Sequence, residues 1–484
     1  MTNQLYDFGM VGLGVMGSNL LLNLADHGFP VIGYDKNPEK TKLFEASAAK
    51  DNIVKGVNTA EDMVSLLSRP RKIMMLVPAG AAVDSVIQDL LPFLQEVDIL
   101  IDGGNSHYTD TLARIGTLRE KGIHFMGIGI SGGEEGARKG PSIMPGGDLV
   151  AYKEVAPMLQ AVAAKVNDEP CVAYLGKDAA GHYVKMVHNG IEYAIMQLIS
   201  ECYDLLHNGM EYSNTRIAEL FAKWNEGELK SFLLEISASI FTMKDDKTKD
   251  KYLLDMILDK AGAKGTGKWT SQEGLDLPMP VPVIDSAVMM RNLSSLVGER
   301  KEAAALYDIN SMKIEMPDSE FEKLLHGALY FGILSSYVQG LALLFTASRE
   351  LKMEIDMPAV VSVWRGGCII RSELLSSFMD AYKNKELKNL LLDKQIAEMI
   401  ASRLEATRKV VSLAALHNYS AVCLMSSLNY FNAYRREFLP TNLVQAQRDF
   451  FGAHTYQRID EEGIFHSEWA TSSETLSTKP IDTN

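Results

Sequence analysis

The turn Gly12-Leu13-Gly14-Val15-Met16-Gly17 limits this chain more than any other feature. It follows an apolar run, Phe8–Val11, and leads into an amphipathic stretch, Gly17–His27. The first glycine permits a tight turn, the second lets backbone approach a pyrophosphate, and the third allows a helix to pack closely on a strand. Backbone N–H groups and the helix dipole then face negative phosphates. The glycine triplet alone is a weak signal. Here an acidic residue, Asp35, ends the next apolar run, Val31–Tyr34, where it can accept from a ribose. The combination predicts a dinucleotide site over Gly12–Gly17 and Asp35-Lys36-Asn37; the plainer alternative is a glycine turn with no ligand.

The surrounding pattern supports a sheet. The short apolar runs Ile73–Val77, Ile99–Ile101 and His124–Ile128 alternate with amphipathic stretches at Ala60–Leu67, Ala81–Leu94 and Thr111–Lys121. Strands alternating with helices imply βαβ units and a parallel, doubly wound sheet that binds ligands beyond the carboxyl ends of its strands. The texture changes near Ala179. Helical periodicity dominates Val184–Leu206, Arg216–Ile236 and Phe321–Arg349, and strand signals nearly vanish. The expected fold class is therefore an α/β N-terminal domain, doubly wound and Rossmann-type (1–178), followed by an all-α helical domain (179–436) and a C-terminal tail (437–484).

Composition narrows the partners. A formal charge of -14 over 484 residues argues against nucleic acid, which selects basic surfaces. Cys171, Cys202, Cys368 and Cys423 are widely spaced, so reduced buried thiols are expected rather than disulfides or a zinc knuckle. The ten histidines and the carboxylates show no ligand spacing, and no metal is expected. No stretch reads as long and apolar enough for a bilayer, and the start of the chain lacks a leader pattern, so the expected address is cytoplasmic.

Three segments carry candidate chemistry. Asp102-Gly103-Gly104-Asn105-Ser106 and Ser131-Gly132-Gly133 follow strands, the latter opening a Gly-rich loop expected to run to Gly147. In both, small residues let backbone donors face an anion, though tight loops alone would look the same. The third is a helix in which Lys185, Asn189 and Glu192 are spaced i, i+4, i+7 on one face, flanked by His188 and Tyr193. A polar stripe is often only a solvated face. Directly after a nucleotide domain it can instead form the facing wall of a cleft, where burial lowers a lysine pKa, raises a glutamate pKa and makes an acid/base pair. A direct salt bridge between the two would weaken that reading. Lys264-Gly265-Thr266-Gly267-Lys268-Trp269 lacks P-loop spacing and is rejected as one. Arg291 alone reads as an ion-paired arginine, and Trp364–Arg371 as helix packing with ion pairs.

Taken together, Gly12–Gly17, Asp102–Ser106, Ser131–Gly136, Lys185–Tyr193, Lys264–Trp269 and Gln445–His454 resemble 6-phosphogluconate dehydrogenases along essentially the whole chain. The resemblance implies Lys185 as general base and Glu192 as general acid in an oxidative decarboxylation. It also implies a substrate held by Asn105, Ser131, Gly132, Gly133, His188, Asn189, Tyr193, Lys264 and Arg291. A homodimer is implied too, in which Arg448 and His454 of one tail complete the partner's site. Val77, Pro78 and Ala79, with Asn105, would line the cofactor. NADP is the family's default, but many members have Ala at Gly14, Asn-Arg-Thr at Asp35-Lys36-Asn37 and Lys at Pro78. Asp35 repels a 2′-phosphate while Lys36 and Lys40 oppose it, which leans towards NAD or dual use. Two other readings stay open: a related β-hydroxyacid dehydrogenase acting on an unphosphorylated acid, and a non-catalytic dinucleotide-binding sensor. Lys264, Arg291 and the basic tail argue against the first, the Lys185/Glu192 pair against the second.

Overall fold

The computed structural model describes residues 5–248, 250–307, 309–469 and 478–480. In chain order the first part runs β1 (Phe8–Val11), α1 (Val15–Asp26), β2 (Val31–Tyr34), α2 (Pro38–Ala46), β3 (Val54–Val57), α3 (Ala60–Ser65), β4 (Lys72–Met75), α4 (Ala81–Leu90), β5 (Ile99–Asp102), α5 (Tyr108–Arg119), β6 (His124–Ser131), α6 (Gly133–Lys139), β7 (Ser142–Gly147) and α7 (Leu149–Val162). The sheet order is β3-β2-β1-β4-β5-β6-β7, with β7 antiparallel to β6 and the other neighbours parallel. Order reverses between β1 and β4, the switch point at which such sheets bind ligands.

The strands are apolar on both faces because both are covered. Phe8, Met10, Met74, Ile99, Ile101, Met126, Ile128 and Ile130 pack with α1, α6 and α7, while Val11, Ile32, Ile73, Met75, Leu100 and Phe125 pack with α3, α4 and α5. Two details correct the sequence reading. The segment after Ser131 is not one loop to Gly147: it forms α6 and then the buried strand β7. β3 went unread because it carries Lys55 and Gly56 and is only partly buried.

After a short hairpin, β8 (Lys165–Val166) and β9 (Glu169–Pro170), helices take over: α8 (Ala180–Asp204), α9 (Asn214–Trp224), α10 (Phe232–Thr242), α11 (Thr266–Asp276), α12 (Pro282–Ser295), α13 (Val297–Tyr307), α14 (Asp318–Glu350), α15 (Met357–Trp364), α16 (Leu374–Ala381), α17 (Lys394–Ala401), α18 (Leu404–Leu416), α19 (Val422–Tyr434) and α20 (Thr441–Gly452). The single helix expected over Arg216–Ile236 is two. It breaks after Trp224, and Ser231 caps the second by accepting from Leu234 N–H. The membrane expectation also needs correction. α14, with a mean hydropathy of 1.6 in its most apolar window, is long and apolar enough to cross a bilayer. That window is wholly buried, with α8, α12 and α18 packed around the helix, so its apolar surface is covered by protein.

All four cysteines are buried and free, as expected. The chain separates into two compact units, Met1–Leu428 and Asn429–Asn484. In the second, the buried Asp449 carboxylate accepts from Thr455 N–H (2.9 Å), Ser467 N–H (3.1 Å), Trp469 Nε1 (2.8 Å) and His466 Nδ1 (2.9 Å).

In the first unit, Glu201 of α8 receives Cys423 N–H (2.9 Å) and Leu424 N–H (3.0 Å) at the start of α19. Burial outweighs these bonds and pushes the Glu201 carboxyl up to about 7. A folded-state value above the unfolded one means stability that is full at low pH and lost as pH rises through 7. Against Glu201→Gln, the wild type should therefore lose up to about 3 kcal/mol between pH 4.5 and pH 8. Parallel stability–pH curves from denaturant titration would contradict this.

Candidate active site

Glycines set where α8 lies. α8 packs across β6 and β7 with almost no space between backbones. A Cβ on Gly181 would sit 2.2 Å from the Gly127 carbonyl oxygen and 2.4 Å from that of Met144, and one on Gly129 would sit 2.4 Å from Lys185 Cβ. Lys185 is thereby laid against the carboxyl-terminal half of β6, and the side chains one and two turns on follow it past Ser131. Ser131 Oγ lies 3.3 Å from His188 Nε2, and His188 Nδ1 lies 3.0 Å from Asn189 Oδ1. Asn189 Nδ2 donates to Thr266 Oγ1 at 3.1 Å, joining the stripe to the start of α11. Lys264 N–H reaches the Tyr193 hydroxyl at 3.4 Å, and the Arg291 guanidinium stacks 3.4 Å over the Tyr193 ring.

The stripe is not a solvated face. Lys185 is 6% exposed and His188 fully buried, while Val184, Val187, Ile191 and Ile195 form the packed side as expected. Among the described residues, Lys185 and Glu192 form no ion pair; the nearest charged-type contact of Glu192 is His188 Nδ1 at 3.8 Å. Burial lowers the Lys185 ammonium from its usual range, opposed by the Glu192 charge. Burial likewise raises the Glu192 carboxyl, opposed by Lys185 and Arg291. Burial and the neighbouring Lys185 hold His188 well below its ordinary value, so its ring is neutral and its contact with Glu192 is no salt bridge. Burial thus pushes two groups on one helix face, two turns apart, towards each other's protonation range.

Sequence reasoning missed the back of this site. Trp364 stands edge-on to the His188 ring at 5.8 Å, and a Cβ on Gly132 would meet the Gly367 carbonyl oxygen at 2.7 Å. The segment 364–371 makes the expected ion pairs, Arg365–Glu169 (2.5 Å) and Arg371–Glu235 (2.6 Å). Its Cys368 lies near enough to Lys185 to interact with it electrostatically. The repeated Gly-Ile-Gly-Ile-Ser of β6, whose glycines share one face, was the available signal for a helix lying on that strand.

At the nucleotide end, Gly12 has φ +94°, and a Cβ on Gly17 would strike the Gly12 carbonyl oxygen at 2.0 Å. The N-terminus of α1 has no side-chain cap and no acidic residue in its first turn, and Gly14 faces open space. Free N–H groups at an open helix start fit a dinucleotide pyrophosphate. The Asp35 carboxylate accepts from Leu13 N–H (3.0 Å), Asn37 N–H (2.9 Å) and Lys40 Nζ (3.3 Å), and Lys36 pairs with Asp89 at 2.9 Å. Asn37 caps α2. Val77-Pro78-Ala79 and Asn105 follow β4 and β5, neighbouring strands on one side of the switch point. Lys264 and Asn105 are exposed; Arg448 and His454 are exposed in the second unit. Among the described residues no cluster of His, Cys, Asp and Glu is arranged to hold a metal ion.

Comparison with known proteins gives the same answer from both halves. Residues 7–176 match the family model for the NAD binding domain of 6-phosphogluconate dehydrogenase, and residues 181–469 match that for its C-terminal domain. The chain belongs to the 6-phosphogluconate dehydrogenase family. It is 49% identical, over 95% of its length and 98% of the relative's, to the NADP(+)-dependent, decarboxylating 6-phosphogluconate dehydrogenase of Bacillus subtilis. The decarboxylating 6-phosphogluconate dehydrogenase of Escherichia coli is 45% identical over 95% of this chain and 98% of its own. The 6-phosphogluconate dehydrogenase of Plasmodium falciparum, solved in apo form and in complexes with NADP+ and with 6-phosphogluconate, superposes with a TM-score of 0.93 at 43% identity. That match covers 96% of this chain and all of the other. Membership in this family makes the chain a decarboxylating dehydrogenase of 6-phosphogluconate.

Proposed function

We propose that this chain converts 6-phosphogluconate to ribulose 5-phosphate and carbon dioxide, with Lys185 and Glu192 handling the protons, and that NAD serves it at least as well as NADP. The observation that carries the residue roles is the burial of Lys185 against β6 with no ion-pair partner among the described residues. A nicotinamide dinucleotide held at Gly12–Gly17 would supply the hydride acceptor for C3 of the sugar acid. Lys185, its proton affinity lowered by burial, takes the C3 hydroxyl proton. The resulting ammonium polarises the new ketone, which holds the electrons left when the C1 carboxylate departs. Glu192, its carboxyl raised by burial, returns a proton to C1 of the enediol. Ser131, Gly132, Gly133, Asn105, His188 and Asn189 orient the acid end and hydroxyls; neutral His188 is suited to donate or accept without adding charge. Tyr193, Lys264 and Arg291 hold the phosphate. Arg448 and His454 complete the site of a partner subunit in a homodimer with exchanged tails, and the enzyme works in the cytoplasm.

The cofactor reading is supported by charge. Asp35 puts a carboxylate where a 2′-phosphate would approach, and Lys36, at the position of the family's arginine, is engaged by Asp89. Following reduced nicotinamide by absorbance with 6-phosphogluconate and each cofactor in turn tests the reading. Similar kcat/KM values for NAD and NADP are expected, and a hundredfold preference for NADP would overturn it. Asp35→Asn should raise kcat/KM for NADP about tenfold, the worth of about 1.4 kcal/mol for one near-surface charge. Equal rates on gluconate and 6-phosphogluconate would favour an unphosphorylated substrate instead.

A further inference from the structure

A second set of polar contacts at the same junction is left unused by the chemistry above. Glu273 of α11 is buried, and its carboxylate accepts from two phenols, Tyr108 Oη at 3.0 Å and Tyr183 Oη at 3.2 Å. Tyr183 lies two residues before Lys185; Tyr108 opens α5 three residues after Asn105. One turn earlier on α11, the Trp269 ring meets His107 edge-on at 4.8 Å. α11 thus grips two consecutive residues of the segment that carries Asn105.

The other side of that segment is tied to the nucleotide sheet. Ser106 Oγ donates to Asp102 at 2.6 Å. Arg114, itself buried, reaches Ser106, Asp84 and the Gly80 carbonyl oxygen that precedes α4. α11 starts at Thr266, directly after Lys264-Gly265, and Thr266 accepts from Asn189. α11 therefore runs from the segment that carries Lys264 to the residues that follow Asn105. A carboxylate buried between two domains' elements is costly to place and adds little stability over an apolar contact of the same shape. Its hydrogen bonds do fix direction and register, which apolar packing does not.

We propose that Glu273 and Tyr108 are positioning residues that couple the phosphate end of the substrate site to the cofactor end. An anionic phosphate drawn to Lys264 sets the position of α11, and the Glu273–Tyr108 contact passes that position to Asn105. The inference rests on the substrate reading above. Because coupling of binding sites is reciprocal, the phosphorylated acid tightens the reduced cofactor by the same factor as the cofactor tightens the acid.

Reduced cofactor and 6-phosphogluconate cannot turn over together, so the coupling is measurable at equilibrium. Cofactor fluorescence titrations with and without saturating 6-phosphogluconate should give Kd values differing by about fivefold or more in the wild type, the usual lower range of such coupling. Gluconate, lacking the phosphate, should give no such change. In Tyr108→Phe and in Glu273→Gln the ratio should fall below about twofold, a change that a purely structural role would not produce in protein that remains folded. Should the Gln variant misfold, Tyr108→Phe carries the test, since it removes one hydroxyl and leaves the Tyr183 bond in place. A wild-type ratio near one, or a Tyr108→Phe variant that keeps the wild-type ratio, overturns the proposal. A wild type that oxidises no 6-phosphogluconate at all overturns instead the function on which it rests.

Discussion

Replacing Lys185 by Ala is expected to lower kcat about a thousandfold, the contribution of a well-placed general base, while cofactor affinity stays within about threefold. The side chain sits against β6, whereas the glycine turn proposed for the pyrophosphate lies at the start of α1, so nucleotide binding has no reason to change. Lys185→Arg should not rescue turnover. A guanidinium keeps the charge, but it does not deprotonate near neutrality and cannot act as a base. The pair of substitutions separates base catalysis from simple charge stabilisation, because the arginine variant would recover much of the rate if only a positive charge were needed. Steady-state rates and cofactor titration decide the matter. A Lys185→Ala variant retaining a tenth of wild-type kcat would remove Lys185 from the mechanism.

The second large effect concerns packing. Gly181→Val should destabilise the protein by about 3 kcal/mol or more, beyond the common range for overpacked cores. The reason is what the new atoms would strike. Its Cβ would lie 2.2 Å, 2.4 Å and 2.6 Å from backbone atoms of Gly127, Met144 and Gly146, and two strands of one sheet cannot move aside independently. Any relief must lift α8 off β6 and β7, which also displaces Lys185, so residual folded protein should be poorly active. Gly14→Ala provides the contrast. A Cβ there meets nothing within 4 Å, and the change should leave stability within about 0.5 kcal/mol. Denaturant unfolding of the two variants tests the claim; equal midpoints would show that the helix–sheet contact is looser than the glycines imply.

Much of the site was legible before any coordinates because its residues are close in sequence or sit at fixed offsets. Lys185, His188, Asn189, Glu192 and Tyr193 lie on one helix, and helical geometry alone puts them on one face. Gly12–Gly17 and Asp35 occupy the ends of adjacent strands, with roles dictated by backbone approach. What escaped were features whose signal is not periodic. β7 carries Pro145, Gly146 and Gly147, residues that mark turns, yet it pairs along β6 at the sheet's edge, where proline is tolerated. α14 is membrane-like by length and composition, and only its neighbours show that protein rather than lipid covers it. The segment around Cys368 has no chemical pattern of its own.

The amino-acid order by itself determined the elements and their faces: an apolar strand must be covered on both sides, and a helix with polar residues at i, i+4 and i+7 must present them together. It also determined that a dinucleotide turn opens the chain. Only the tertiary structure decided that the polar face is buried rather than wet, that Lys185 and Glu192 stand apart instead of pairing, and that Glu273 meets Tyr108 across 165 residues. Those outcomes depend on the distance between surfaces far apart in the chain. That distance is set by glycines on β6, β7 and α8, whose importance lies in the atoms they lack.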